Sequence, residues 1–199
     1  MLNKTPSGRE STAAPGSDFT FDSGRLCLDC LATVSDRHGA ALERWKTGRD
    51  LAIWCLDAGL LENAPHVPQE KLQQARALRE CLYQLITTLR IGAKPKARAV
   101  KIVNDWAARP TAAPRLSSDG RKVSRQAVDP LEAAMVAIAR DALEMIAQYV
   151  LTEVRECEGP ACSMLFVDES RPGNRRWCSM KRCGNRSKKE AYRKRMSRA

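Results

Sequence analysis

Two pairs of cysteines toward the end of the chain constrain its fold more than any other feature. Cys157 and Cys162 bracket Glu-Gly-Pro-Ala, and Cys178 and Cys183 bracket Ser-Met-Lys-Arg, giving C-x4-C, fifteen residues, C-x4-C. A short loop between two cysteines brings two soft thiolates together, and two such loops supply the tetrahedral sulfur set that Zn²⁺ prefers. The surrounding segment is densely charged and poor in apolar residues. Four thiols buried there for packing alone would have no core to join. A bound metal removes the difficulty, because it substitutes for the core that about 45 such residues cannot build. A four-thiolate zinc site at Cys157, Cys162, Cys178 and Cys183 is therefore expected.

The residues between and after the pairs suggest the shape of the unit. Gly159 and Pro160 suit a tight first loop, and Gly184 is expected to take a positive φ where the chain wraps the metal. MLFVDESRPGNRRW, between the pairs, reads as strand, Pro-Gly-Asn turn, strand. NRSKKEAYRKRMSRA, after the last cysteine, is a good helix former. Residues 154–199 are thus expected to form a treble-clef-like zinc finger, a β-hairpin plus a helix.

Charge is concentrated in the same region. The 199-residue chain carries 34 Lys+Arg against 23 Asp+Glu, a net charge of +11. Residues 155–199 hold 13 of the cations and 5 of the acids, which is +8 of that total. So basic a balance points to a polyanionic partner, nucleic acid first. Arg186, Lys188, Lys189, Arg193, Lys194, Arg195 and Arg198 surround Tyr192 on the final helix, opposed only by Glu190. Like charges at such spacing destabilise an isolated helix, so this one needs an anchor and a counter-ion. Arg175, Arg176, Lys181 and Arg182 add charge beside the cysteines. These cations, Arg198 apart, are the candidate nucleic-acid contacts. They suit phosphates, and a few suit guanine edges.

Upstream, residues 1–18 read as a disordered tail without a secretory signal. Residues 19–153 read as a mainly α-helical domain with a little sheet. FTF at 19–21 is a candidate strand, and SGRLCLDCLATV a turn into a helix with Leu28, Leu31 and Val34 on one side. Thr47 with Asp50 forms a possible capping box, and Gly59 ends that helix. Pro68 opens a long helix carrying Leu72, Ala75, Leu78, Leu82, Leu85 and Leu89 at helical spacing, closed at Gly92. Val100, Val103 and Trp106 mark another helix. Asp119-Gly120 reads as a hairpin turn, and Asp129-Pro130 as the start of a helix bearing Leu131, Met135, Ile138, Ala142, Ile146 and Tyr149, running to about residue 153. The overall class is α+β.

Hydrophobic residues make up 43% and aromatics 5%, so the core is expected to be mostly aliphatic. No apolar stretch is long and uncharged enough to span a membrane, because Arg140, Asp141 and Glu144 interrupt the best candidate. A cytoplasmic protein follows, in which eight cysteines are not expected to form disulfides. Cys27 and Cys30 form a C-x-x-C that could be a redox pair or, as expected here, two small apolar residues on a helix face. Cys55 and Cys81 read as packing, and His38 and His66 as surface residues. The sequence has no Gly-rich phosphate loop, no histidine near a nucleophile motif and no paired-carboxylate motif, so it is not expected to be an enzyme.

WCSMKRCGNRSKKEAYRKR resembles the CGNR zinc finger, named for residues that stand here as Cys183-Gly184-Asn185-Arg186. The likeness reaches back through Phe166-Val167-Asp168-Glu169-Ser170-Arg171 to Cys162 and Cys157. SGRLCLDCLATV resembles the opening of the ABATE domain that usually precedes this finger in stress-induced transcription regulators. The resemblance implies zinc at the four cysteines and DNA binding by the finger. The family has two glycines where Ser23-Gly24 stand, and Phe and Asn where Cys30 and Ala32 stand, whereas Asp29 and Thr33 are retained. The resulting expectation is a zinc-dependent, DNA-binding transcription regulator. Its helical domain would act as a sensor or dimerisation module, with a homodimer and an unknown small-molecule effector as candidate partners. RNA binding is the alternative, and a small-molecule or redox protein using Cys27 and Cys30 the third.

Overall fold

The computed structural model describes residues 19–111, 114–125, 129–148 and 151–197. The expected tail at 1–18, Tyr149 and Arg198 lie outside the described residues. The class is α+β: helices dominate the first three quarters, and among the described residues three separate two-stranded antiparallel sheets accompany them.

Helix α1 (Leu26–Leu31) leads into strands β1 (Val34–Ser35) and β2 (Leu42–Glu43). Helix α2 (Gly48–Asp57) begins with the expected capping box: the Thr47 hydroxyl accepts from Asp50 N at 3.3 Å, and the Asp50 carboxylate accepts from Thr47 N at 2.7 Å. It ends at Gly59, which takes a φ of +69°. Helix α3 (Gln69–Arg90) is the central element, packed by α1, α2, α4 (Ala97–Ala107) and α5 (Pro130–Gln148). Its buried residues are Leu72, Ala75, Leu78, Arg79, Leu82, Leu85 and Ile86; the first five apolar positions read at helical spacing are among them, whereas Leu89 is only half-buried. β3 (Pro114–Leu116) and β4 (Val123–Arg125) flank the expected Asp119-Gly120 turn, with Leu116 opposite Val123. Asp129 caps α5 by accepting from Glu132 N at 3.1 Å.

Several expectations are corrected. Phe19–Phe21 form no strand. Phe21 is instead a buried plug on Trp54, ring centroids 5.8 Å apart, and no neighbouring backbone offers it a ladder. Val34 lies past the end of α1, in β1, because the helix closes at Leu31. Helix α5 is described through Gln148, and Leu151–Glu153, expected to continue it, form a 3₁₀ turn. Trp45 and Trp54 are fully buried and meet edge to face at 5.3 Å.

After the 3₁₀ turn come β5 (Val154–Glu156), β6 (Leu165–Val167), a π-helical turn (Met180–Gly184) and α6 (Asn185–Met196). A second correction concerns this region. The hairpin does not lie between the cysteine pairs. β6 pairs with β5, Val154 opposite Val167 and Glu156 opposite Leu165, so the ladder straddles the first cysteine loop. The Pro172-Gly173 turn does form, with Gly173 N donating to Ser170 O at 2.9 Å, but among the described residues no strand follows it.

Strand β6 divides its side chains between two cores, as alternation on a strand requires. Leu165 and Val167 join the helical core, together with Val154. Phe166, fully buried, points the other way and packs with Cys157, Met164, Cys178 and Cys183. Further ties hold the cysteine-bearing unit on the helical body. Val167 N donates to Ser23 O at 2.9 Å, Arg37 N to Ser163 Oγ at 2.8 Å, and Arg90 pairs with Glu156 at 2.9 Å.

Candidate metal centre and basic helix

The four cysteines of the two pairs converge. All four sulfurs lie within 4.8 Å of one another, with Cys162 and Cys178 at 4.0 Å and Cys178 and Cys183 at 3.6 Å. A tetrahedron with Zn–S bonds of about 2.3 Å has sulfurs about 3.8 Å apart, so the set fits such an ion. Cys157 and Cys162 come from the loop between β5 and β6. Cys178 precedes the π-helical turn, and Cys183 lies within it. Two backbone amides, Gly159 N and Cys178 N, donate to Cys157 Sγ at 3.4 Å each. Such donors stabilise a thiolate, and hydrogen bonds from the Cys162 and Cys178 thiols pull Cys157 far below its ordinary value. Cys178 moves the opposite way, chiefly because its proton is shared with Cys157. Crowding of this kind is relieved when a cation replaces the shared protons.

The loops are shaped for this approach. Gly159 cannot carry a side chain: a Cβ there would fall 2.8 Å from Cys183 Cβ and 3.0 Å from its sulfur. Gly184 is not the positive-φ residue expected; its φ is −61°. Its place follows from packing, since a Cβ would meet the Met180 sulfur at 2.4 Å and the Trp177 ring at 3.5 Å. Turning the chain is the work of the π-helical segment, where Gly184 N reaches back to Ser179 O at 3.1 Å.

Asp168 is a residue whose role the sequence did not reveal. It is buried and accepts from Ser170 Oγ at 2.6 Å, Ser170 N at 3.1 Å and Arg175 N at 2.7 Å, with Arg155 beside it at 3.2 Å. Burial opposes its charge, but these donors outweigh burial and hold the carboxyl below its ordinary range. Asp168 therefore closes the loop between β6 and Cys178. Turn chemistry (a Pro-Gly pair after an acidic residue) was the available signal.

The ten candidate nucleic-acid cations divide into two groups. Five are engaged within the protein. Arg175 donates to Cys178 O at 2.8 Å, Arg176 pairs with Glu158 at 2.6 Å, and Arg182 pairs with Asp22 at 2.6 Å. Arg186 reaches Pro160 O at 3.4 Å, and Lys194 pairs with Glu190 at 3.4 Å. Lys181, Lys188, Lys189, Arg193 and Arg195 are exposed, and no carboxylate among the described residues lies within ion-pair distance of them. Helix α6 buries none of its residues, so it projects from the cysteine unit with its cations in solvent. Tyr192 and Met196, one turn apart, are exposed apolar side chains among them.

The remaining cysteines are elsewhere. Cys27 and Cys30 are buried, and the Cys27 sulfur meets Met145 Sδ at 3.8 Å. Burial, against the pull of Arg79 and Arg37, pushes Cys30 up to about 12, and burial beside Asp141 pushes Cys27 up as well. Cys55 is buried and Cys81 half-buried, while His38 and His66 are exposed. The sequence also gave no warning of a buried arginine. Arg79 is 2% exposed and grips both oxygens of Glu43, at 2.8 and 2.6 Å, plus Glu80 at 2.8 Å and Thr33 Oγ1 at 3.0 Å. This network fixes β2 to α3 behind α1. No helix of the described residues is long and apolar enough to cross a membrane.

Comparison with known proteins agrees with this geometry. Residues 153–196, which contain all four cysteines and α6, match the family model described as “CGNR zinc finger”. Residues 24–149 match the ABATE model, described as “Putative stress-induced transcription regulator”. No curated protein matches the chain. Since the ABATE model spans more than half of the sequence and the finger model follows it directly, the chain belongs to the ABATE family and carries a CGNR zinc finger.

Proposed function

We propose that this chain is a zinc-dependent, DNA-binding transcription regulator. One observation carries the reading: α6 buries nothing and holds Lys188, Lys189, Arg193 and Arg195 in solvent without acidic partners. Keeping like charges together on a bare helix costs stability, and the phosphates of a nucleic acid are the counter-ions that recover it. Cys157, Cys162, Cys178 and Cys183 would hold Zn²⁺, which when bound cross-links the two loops and supplies structure rather than reactivity, because four thiolates leave no open position. The π-helical turn then sets the direction of α6 from a fixed ligand, Cys183. Tyr192 and Met196 provide apolar contact for sugars or base edges among the cations. The helical body is the regulatory module, a role supported by the family description and by its ties to the finger through β6, Ser23 and Arg37.

The test is duplex DNA binding by the full chain, followed by fluorescence anisotropy across a salt series. Log K should fall linearly with log salt. Lys188→Ala with Lys189→Ala should flatten the slope by about 1.8, at about 0.9 per phosphate contact, with metal content unchanged. A metal-loaded chain that ignores duplex DNA, or binds it independently of salt, would overturn the reading. Tighter binding to an RNA duplex of the same length would overturn the choice of DNA.

A further inference from the structure

We infer that the turn between α3 and α4 is a second contact for the backbone of duplex DNA, placed on the helical body beside the finger. The inference rests on the reading that α6 engages DNA. Three cations sit at this turn within five residues, Lys94, Lys96 and Arg98. All are exposed, and none has a carboxylate within ion-pair distance among the described residues. By contrast, Lys101, one turn further along α4, is held by Asp105 at 2.6 Å. Ile91, which opens the turn, is 74% exposed and unprotected by any neighbouring element.

The turn is continuous with the finger. An open groove is lined by Arg90 and Ile91 of the body and by Arg155, Glu156, Glu158 and Arg175 of the finger. The acids beside this groove are already neutralised: Glu156 by Arg90 at 2.9 Å, and Glu158 by Arg176 at 2.6 Å. A polyanion crossing this groove would therefore meet both of its lining carboxylates already paired. Their charge selects the partner. Three exposed cations within five residues, uncompensated by any carboxylate among the described residues, suit the phosphates of a nucleic-acid strand already held by the finger. A finger alone makes a small interface, and a second basic contact on the body would lengthen its footprint and steady its orientation.

The experiment compares two full-length variants that lose equal charge. One is Lys94→Gln with Lys96→Gln. The other is Lys46→Gln with Arg49→Gln, exposed positions close to Arg76, which donates to Lys46 O. Arg76 lies fourteen residues before Arg90 on α3, about 21 Å along the helix. Salt-dependent binding to a 20-base-pair duplex should flatten by about 1.8 for the turn variant and stay unchanged for the control. Equal slopes for the two variants would reduce the effect to net charge and overturn the inference, as would an unchanged slope for the turn variant. Should Lys188→Ala with Lys189→Ala weaken binding while the turn variant does not, only the second contact fails. When neither weakens it, the assignment of α6 fails first.

Discussion

Phe166 offers the sharpest test of how the finger is built. Its ring is fully buried against Cys157, Cys178 and Cys183, with the Arg175 guanidinium over it at 5.0 Å. Truncation to alanine removes a buried aromatic and leaves a cavity, at a typical cost of about 3–5 kcal/mol. Leu165, its neighbour on the same strand, faces the helical core, and Leu165→Ala costs about 2–5 kcal/mol there. The two costs fall on different processes. If the sulfur cluster is ordered mainly when metal is bound, the Phe166→Ala penalty is charged to metal binding. At about 1.4 kcal/mol per tenfold, that weakens metal affinity by about two to three and a half orders of magnitude. Leu165→Ala should lower the melting temperature of the metal-loaded chain by roughly 4–20 °C, at about 2–4 °C per kcal/mol, and leave affinity within about threefold. Zinc competition against a chromophoric chelator and thermal denaturation read the two quantities separately. Equal effects of both variants on metal affinity would refute the division of β6 between two cores.

The other predictions are briefer. Purified protein should contain about one zinc per chain, and Cys178→Ser should lower that ratio sharply in elemental analysis, whereas Cys27→Ala with Cys30→Ala should not. Thr47→Ala should cost about 1 kcal/mol in urea unfolding, because it removes one half of the capping box on α2. Glu43 and Glu80 are held below their ordinary 4.5: burial opposes their charge, but Arg79 for Glu43 and Arg37 for Glu80 outweigh it. Their folded pKa lies below the unfolded one, so their contribution is present above about pH 4.5 and is lost as pH falls below it. Urea midpoints should thus drop on the acid side, less steeply in Glu80→Gln, and a midpoint that rises on acidification would contradict the network.

How much of this molecule was legible in its sequence depended on the range of the interactions involved. The four-cysteine cluster was legible because its rule is local: two thiols with four residues between them can reach one ion whatever else the chain does, and two such loops complete the set. Helices α2 to α5 were legible for the same reason, since the Thr47 box, the α3 periodicity and Asp129-Pro130 act within a turn or two. The finger's hairpin was not. Pro172-Gly173 is a genuine turn, and the residues beyond it looked like a returning strand. That strand had to compete with β5, and β5 has the advantage of a second core. Val154, Leu165 and Val167 all reach the helical body, an arrangement that exists only once the body is folded. Meanwhile Asp168 draws Arg175 N into a tight loop, which removes that amide from any ladder. Arg79 was hidden likewise: an arginine in a long amphipathic helix reads as surface until a Glu43 thirty-six residues away arrives to neutralise it. The misread segments are therefore those whose partners lie far along the chain, and one of them lies where the finger and the body meet. Their coupling implies that a change in the helical body that shifts β6 would also displace Phe166, and with it the packing behind the four sulfurs.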